Sequence, residues 1–197
     1  MNCGLITLLA VSGTAFGQSV ATYTMDAVPL GNGISAGSVW IFTIFGGATS
    51  GQIGNESGIN GVNLRVDADR FMFDLASISV TNEVFGAANV VVDADGTGFD
   101  ISFSSNSFIG NNFTAGQPLF SFEGVYNGQL WPEPSILVET SQGNISSFGA
   151  ATGLPGAFQP SVAYDVVNFA SFSFTPPTPG TAAAFGIVAL ASARRRR

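Results

Sequence analysis

Histidine and lysine are missing from this 197-residue chain, and cysteine occurs once, as Cys3. Without histidine there is no Ser-His-Asp triad and no histidine-bound zinc. Without lysine there is no lysine base or Schiff-base nucleophile. Cys3 falls in an N-terminal stretch that reads as a leader, so the body has neither a disulfide nor a thiol nucleophile. It must hold together by its core alone, and about 150 residues suffice for that. Charge is scarce too. Only 10% of residues are charged, against roughly 25% in an average soluble domain. The basic residues are Arg65, Arg70 and the run Arg194, Arg195, Arg196 and Arg197.

What is abundant points to a folded β protein. Hydrophobic residues make up 46% of the chain, with 18 Phe and 25 Gly. Disordered chains are poor in aromatics and rich in net charge. A solvent-facing helix needs Lys, Glu, Arg or Gln on its wet side, and these are in short supply, whereas Ser, Thr and Asn suit uncharged strand faces. Alternation recurs along the body: residues 38–45, stopped by Gly46-Gly47; 62–67, with Val62, Leu64 and Val66 on one face and Asp67 and Asp69 on the other; 71–75 and 78–80; 90–92; 99–103; 119–126; and 135–139. In the last run, 162–175, Phe169, Ser171 and Ser173 share one parity and Phe172 and Phe174 the other. Runs at 10- to 20-residue spacing, punctuated by Gly, Asn, Asp and Pro, predict an all-β, antiparallel, jelly-roll-like sandwich of roughly eight to ten strands. Alternating Phe would fill the space between its sheets. Residues 46–61 and 142–156 read as long loops.

The two ends carry an address. The apolar run Leu5-Ile6-Thr7-Leu8-Leu9-Ala10-Val11, then small residues at Ala15 and Gly17, matches a signal peptide over 1–17. Signal peptidase would then leave Gln18 as the new N-terminus. At the other end a Pro-rich segment, 176–180, precedes thirteen uncharged residues, 181–193, and the four arginines. As a helix the thirteen span roughly 20 Å, short of the roughly 30 Å of a bilayer core. The arginines extend that reach by snorkelling and mark the cytoplasmic flank.

This tail resembles the PEP-CTERM sorting signal read by exosortase-type membrane proteases. Pro177, Thr178, Pro179 and Gly180 stand where the recognition motif lies, with Thr178 in the usual place of Glu, as in a planctomycete-like Pro-x-Pro-Gly variant. Arg194 to Arg197 form the basic cluster. The resemblance covers about the last 22 residues. It implies transient insertion in the inner membrane, cleavage near Pro179-Gly180 by an exosortase-like protease, and a cell-surface or extracellular product associated with exopolysaccharide or biofilm. With both ends removed, residues 18–175 set two arginines against thirteen acidic residues, a formal charge of −11. Such a body lacks the basic footprint of a nucleic-acid binder.

Within the body, Asp93-Ala94-Asp95-Gly96-Thr97-Gly98-Phe99-Asp100 admits two readings. Asp-Gly between alternating runs is a hairpin signal, and Asp93, Asp95 and Asp100 are oxygen donors of the kind calcium takes from a flexible loop. Asp67, Asp69 and Asp74 form a second acidic group around Arg70. Trp40 reads as core. Trp131, in a Pro-flanked loop, and Tyr126 read either as packing or as a platform for sugar stacking. Three functions stand in order: a non-catalytic surface or matrix protein, a carbohydrate- or calcium-binding module, and a carboxylate-based glycosidase or lyase. The last requires two carboxyl groups about 5 to 10 Å apart in an open groove.

Overall fold

The computed structural model describes residues 18–31, 33–49, 59–81, 85–105, 117–129, 133–145, 147–150 and 161–174. Among the described residues there are twelve strands and no helix. They are β1 (Val20–Leu30), β2 (Val39–Thr49), β3 (Gly61–Asp69), β4 (Phe71–Val80), β5 (Asn89–Val92), β6 (Gly98–Ser104), β7 (Gln117–Tyr126), β8 (Ser135–Thr140), β9 (Ser147–Ala150), β10 (Ser161–Ala163), β11 (Val166–Asn168) and β12 (Ser171–Ser173). One sheet runs β11-β1-β2-β7-β4. The other runs β10-β9-β3-β6-β5, with β8 continuing along the β3 edge beside β9 and β12 pairing β8. Every pairing is antiparallel except β1 with β11. The expected antiparallel sandwich is what forms. Among the described residues no helix is long and apolar enough to cross a membrane.

The chain passes from one sheet to the other at Arg70, where β3 ends and β4 begins. Arg70 adopts φ 74°, a left-handed conformation that costs a side-chain-bearing residue about 1–2 kcal/mol. The corner is held from outside: Asn127 N donates to Arg70 O at 2.9 Å, and Arg70 pairs with Asp69 at 3.4 Å.

Alternation decides what lies between the sheets. Tyr23, Trp40, Phe42, Ile44, Phe71, Phe73, Phe120, Phe122 and Tyr126 point inward from the five-stranded sheet. Val62, Leu64, Val66, Phe99, Ile101, Phe103, Ile136 and Val138 do so from the other. The layers lock edge to face, with Phe99 5.0 Å from Phe73 and 5.2 Å from Phe122 between ring centroids. Aromatic pairs favour this geometry, which sets the positive ring edge on the negative face. Phe172 and Phe174 also pack inward on Trp40, as their parity requires. One buried polar tie joins the layers: Tyr23 Oη and Ser147 Oγ share a hydrogen bond.

Three expectations about elements need correction. Strand β2 does not stop at Gly46-Gly47 but runs to Thr49. Its pairing with β7 shifts between Ile44 and Phe45, so that Phe45 faces Pro118 and Leu119 is an extra, buried residue. A Cβ on Gly46 would lie 3.0 Å from Leu119 Cγ. Gly46 therefore makes room for the bulge and does not break the strand. The stretch 142–156 is not all loop, since β9 lies within it. The strand number exceeds eight to ten because the β3 edge is shared by two pieces, β8 and β9, and the C-terminal run divides into three. The signal-peptide positions Ala15 and Gly17, Trp131, and the whole segment 175–197 lie outside the described residues.

Candidate functional site

The outer face of β5-β6-β3-β8 is a polar shelf built from cross-strand rows. One row is Asn89, Ser102 and Asn63. The next is Val91, Asp100, Arg65 and Glu139. In the third, Gly98, Asp67 and Leu137 lie side by side. Directly opposed residues share a face, so the side chains of each row stand together.

Arg65 is the centre of the shelf. Its Nε donates to Asp67 Oδ1 at 2.9 Å, and its Nη2 to the same oxygen at 2.6 Å. Nη1 donates to Asp93 Oδ1 at 3.0 Å and to Asp100 Oδ2 at 3.2 Å, and Nη2 pairs with Asp93 Oδ2. The guanidinium spends its five N–H groups on three carboxylates, which its planar fork suits. The hydrogen bonds that Arg65 donates to Asp93 and then to Asp67 raise its pKa further, against the opposing effect of burial. Arg65 in turn holds the Asp93 carboxyl below the ordinary carboxylate range. Glycine at 98 is what lets the guanidinium lie there: a Cβ would sit 2.7 Å from Asp93 Oδ2 and 2.8 Å from Asp67 Oδ1.

The rim comes from residues 141–145, which interrupt the edge between β8 and β9. Ser141 Oγ donates to Asp100 Oδ1 at 2.6 Å, Asn144 N to Ser141 O at 3.1 Å, and Asn63 Nδ2 to Ile145 O at 2.8 Å. Two cavities open along this rim. One of about 430 Å³ is lined by Arg65, Asp67, Asp100, Glu139, Ser141 and Gln142. The other, of about 410 Å³, is walled by Asn63, Asn89, Asn144, Ser102, Ser141 and Asp100, with Val91 and Ile101 as its apolar part. Asp100 and Ser141 belong to both, so the cavities form one groove with an acidic end and an amide-lined end. One guanidinium facing Asp67, Asp93, Asp100 and Glu139 leaves the acidic end net negative.

The predicted residues divide accordingly. Asp93 and Asp100 come together, but around Arg65. Asp95 stands apart: its Oδ1 accepts from Thr97 N at 3.1 Å and Thr97 Oγ1 at 2.8 Å, which lowers its pKa and shapes the turn. Gly96 N donates to Asp93 O at 3.0 Å, and Gly96 takes φ 73°, so the hairpin reading of this loop holds. Among the described residues no group of three or more acidic, histidine or cysteine side chains is arranged to hold a metal ion. Asp67, Asp69 and Asp74 do not act as one cluster. Asp67 serves Arg65, Asp69 serves Arg70, and Asp74 Oδ1 accepts from Ala76 N. Tyr126 offers no face for stacking: it is fully buried against Phe71 and Phe174, and its hydroxyl donates to Gln129 O at 2.8 Å. Gln18 is exposed, one residue before Ser19, whose N and Oγ both donate to Asp165 Oδ2. Asn63, Asn89, Glu139, Ser141 and Asn144 were not singled out from sequence. Their signal was alternation itself, which sets Asn63 on the same face as Arg65 and Asp67.

No family model and no curated protein matches this chain. Among solved structures it is similar to the sixth cohesin of scaffoldin B from Acetivibrio cellulolyticus, which was solved in complex with a mutant Cel5 dockerin. That match has TM-score 0.50 and 11% identity, and covers 77% of this chain and 96% of the cohesin. The seventh ScaB type I cohesin from Pseudobacteroides cellulosolvens matches with TM-score 0.50 and 9% identity, over 82% of this chain and 95% of that one. At these identities the likeness is one of fold: a jelly-roll sandwich of the cohesin type.

Proposed function

We propose that this chain is a non-catalytic, exported surface module whose polar groove holds a hydroxyl-rich exopolysaccharide. Signal peptidase frees its N-terminus, the C-terminal segment enters the membrane transiently, and an exosortase-like protease cuts near Pro179-Gly180. The observation that carries the reading is the groove itself. Amides from Asn63, Asn89 and Asn144 and hydroxyls from Ser102 and Ser141 converge on one cavity beside the exposed apolar Val91. Such a lining matches the alternating hydroxyl and C–H surface of a sugar. Asp67, Asp93 and Asp100 at the other end are committed to Arg65, and Asp93 is held ionised, which suits charge presentation and not the general-acid role of a glycosidase. A net charge of −11 on the body disfavours nucleic acid.

A protein partner is the second reading. It is favoured by the fold shared with a cohesin solved with a dockerin bound. A basic peptide would meet the acidic end of the groove. Calcium at Asp93 and Asp100 would have to displace the Arg65 guanidinium.

Two measurements test the proposal. Intact mass of the protein recovered from the cell surface and medium should show loss of residues 1–17 and of the tail from about Pro179. A full C-terminus retained in the membrane fraction would overturn the sorting step. A glycan array, run with and without calcium, should give binding that Asn89→Ala weakens; silence on every glycan would remove the polysaccharide and leave the protein partner.

A further inference from the structure

The outer face of the five-stranded sheet is unlike the shelf. Its end row is Leu30, Val39, Val125 and Met72, adjacent in register across β1, β2, β7 and β4. The next row is Val28, Ile41, Glu123 and Asp74, and the third begins with Asp26 and Thr43. Leu30, Val28, Met72 and Val125 are 54%, 52%, 56% and 38% exposed. Isolated apolar residues on a surface are ordinary, but six in two adjoining rows form a patch of the sort that marks an interaction site. Acidic side chains border it: Asp26, Asp74 and Glu123.

We propose that this strip is the docking site for the chain's own C-terminal segment, residues 181–197, whenever that segment is outside a membrane. The inference goes beyond the sorting reading and does not depend on it. Three observations select this occupant.

The first is chemistry. Residues 181–193 are an uncharged, largely apolar run followed by four arginines, an apolar-then-basic order. The strip is apolar across the end row and half apolar in the second, where Glu123 and Asp74 stand beside Val28 and Ile41, with Asp26 in the third. In water the run and the strip each expose apolar surface, and covering one with the other removes both from solvent.

The second is where the chain leaves the sandwich. Phe174, the last described residue, lies between the sheets with its ring 5.2 Å from Trp40 and 5.5 Å from Tyr126. Trp40 and Tyr126 are the sequence neighbours of Val39 and Val125, so the chain exits at the end of the sandwich that carries the apolar row. The seven residue steps from Phe174 to Thr181 reach about 23 Å when extended. That is enough to round a sheet in a sandwich whose layers lie about 10 Å apart.

The third is length. Successive rows on one face are about 7 Å apart, so the three rows span about 14 Å. Thirteen residues in helical form reach roughly 20 Å. A segment entering over Leu30 and Met72 would therefore overrun the three rows and bring Arg194 to the Asp26 end of the strip. A second copy of the chain is a poorer occupant: pairing two such strips would bring Asp26, Asp74 and Glu123 of both copies together on bodies that are already strongly negative.

Cysteine cross-linking in the full chain tests this. In a Cys3→Ser background, Val125→Cys is paired with Ala182→Cys, at the start of the run, and oxidised in dilute, detergent-free buffer. The reference pair is Leu137→Cys with Ala182→Cys, because Leu137 is exposed on the opposite sheet. The expected result is an intramolecular disulfide formed several-fold faster than in the reference. The rate should fall several-fold in about 1 M salt, where charges are screened beyond roughly 3 Å, and when the four arginines are changed to Gln. If Val125→Cys impairs folding, Met72→Cys at 56% exposure replaces it. A rate equal to the reference would overturn the proposal, as would a disulfide-linked dimer as the main product. Neither result bears on where the protein is cut in the cell, so this test and the sorting test fail separately.

Discussion

The two sheets solve the same inner problem with different residues. The five-stranded sheet brings most of the large rings to the core, from Tyr23 and Trp40 to Phe122 and Tyr126, whereas the other supplies Val, Leu and Ile with fewer rings, Phe99, Phe103 and Phe172. Flat rings from one side fill the hollows between branched aliphatics from the other, and Phe99 reaches across to meet Phe73 and Phe122. The outer faces diverge further. One carries apolar rows and the other a guanidinium ringed by carboxylates. Inward positions answer to packing alone, so either solution serves, whereas outward positions are free to specialise.

The comparison breaks hardest at Phe122. It is 1% exposed and touches rings from both sheets, Phe42 at 5.3 Å and Phe99 at 5.2 Å. Phe122→Ala should cost about 3–5 kcal/mol, enough to unfold a domain of ordinary stability. Urea denaturation measures it. A loss below about 1 kcal/mol would mean that the aromatic layer can collapse around the gap and is not a close-packed solution.

A smaller effect sits where the sheets are joined by a polar contact. Tyr23→Phe leaves the fully buried Ser147 hydroxyl without its phenol partner and should cost about 1–3 kcal/mol. The double variant Tyr23→Phe with Ser147→Ala should recover part of that loss. If the double variant is no more stable than Tyr23→Phe alone, the hydrogen bond does not tie the layers.

How far all this was legible follows from the range of the interactions involved. Alternation over 62–67 or 99–103 is local, and it correctly set Val62, Leu64 and Val66 inward. Strand β1 went unread although its burial alternates along its whole length: Ala21 and Tyr23 are buried, but the outward-facing Val28 and Leu30 are apolar too, which defeats a rule that equates apolar with inward. Strand β9 lies in a Gly/Ser/Asn-rich stretch and is recruited by pairing with β3 and by Tyr23, partners 85 or more residues away. Gly46 looked like a stop because nothing nearby in sequence announces Leu119. The site behaves likewise. Asp93 and Asp100 were visible as acids, but the residue that organises them, Arg65, lies 28 and 35 positions earlier, and only the β3–β6 register brings it opposite Asp100.

The subtlest test concerns whether the shelf is held by charge or by the packing of the Arg65 stem. Arg65→Met keeps much of the stem and removes the guanidinium. At neutral pH it should cost about 1–2 kcal/mol, between the value of an exposed ion pair and that of charged hydrogen bonds, because the carboxylates remain well hydrated. The sign with pH is fixed by the direction of the shift. The Asp93 carboxyl is depressed below its ordinary value of 3.8 by the hydrogen bond from Arg65. Its contribution is therefore complete above the unfolded-state value and is lost as pH falls below 3.8 through the folded-state value. Urea unfolding of both proteins at neutral pH and again well below 3.8 should show the gap between them narrowing in acid. A gap that persists unchanged would assign the role of Arg65 to its aliphatic stem. The shelf would then be a packed surface that happens to carry charge, and the contrast between the two outer faces would be one of shape more than of electrostatics.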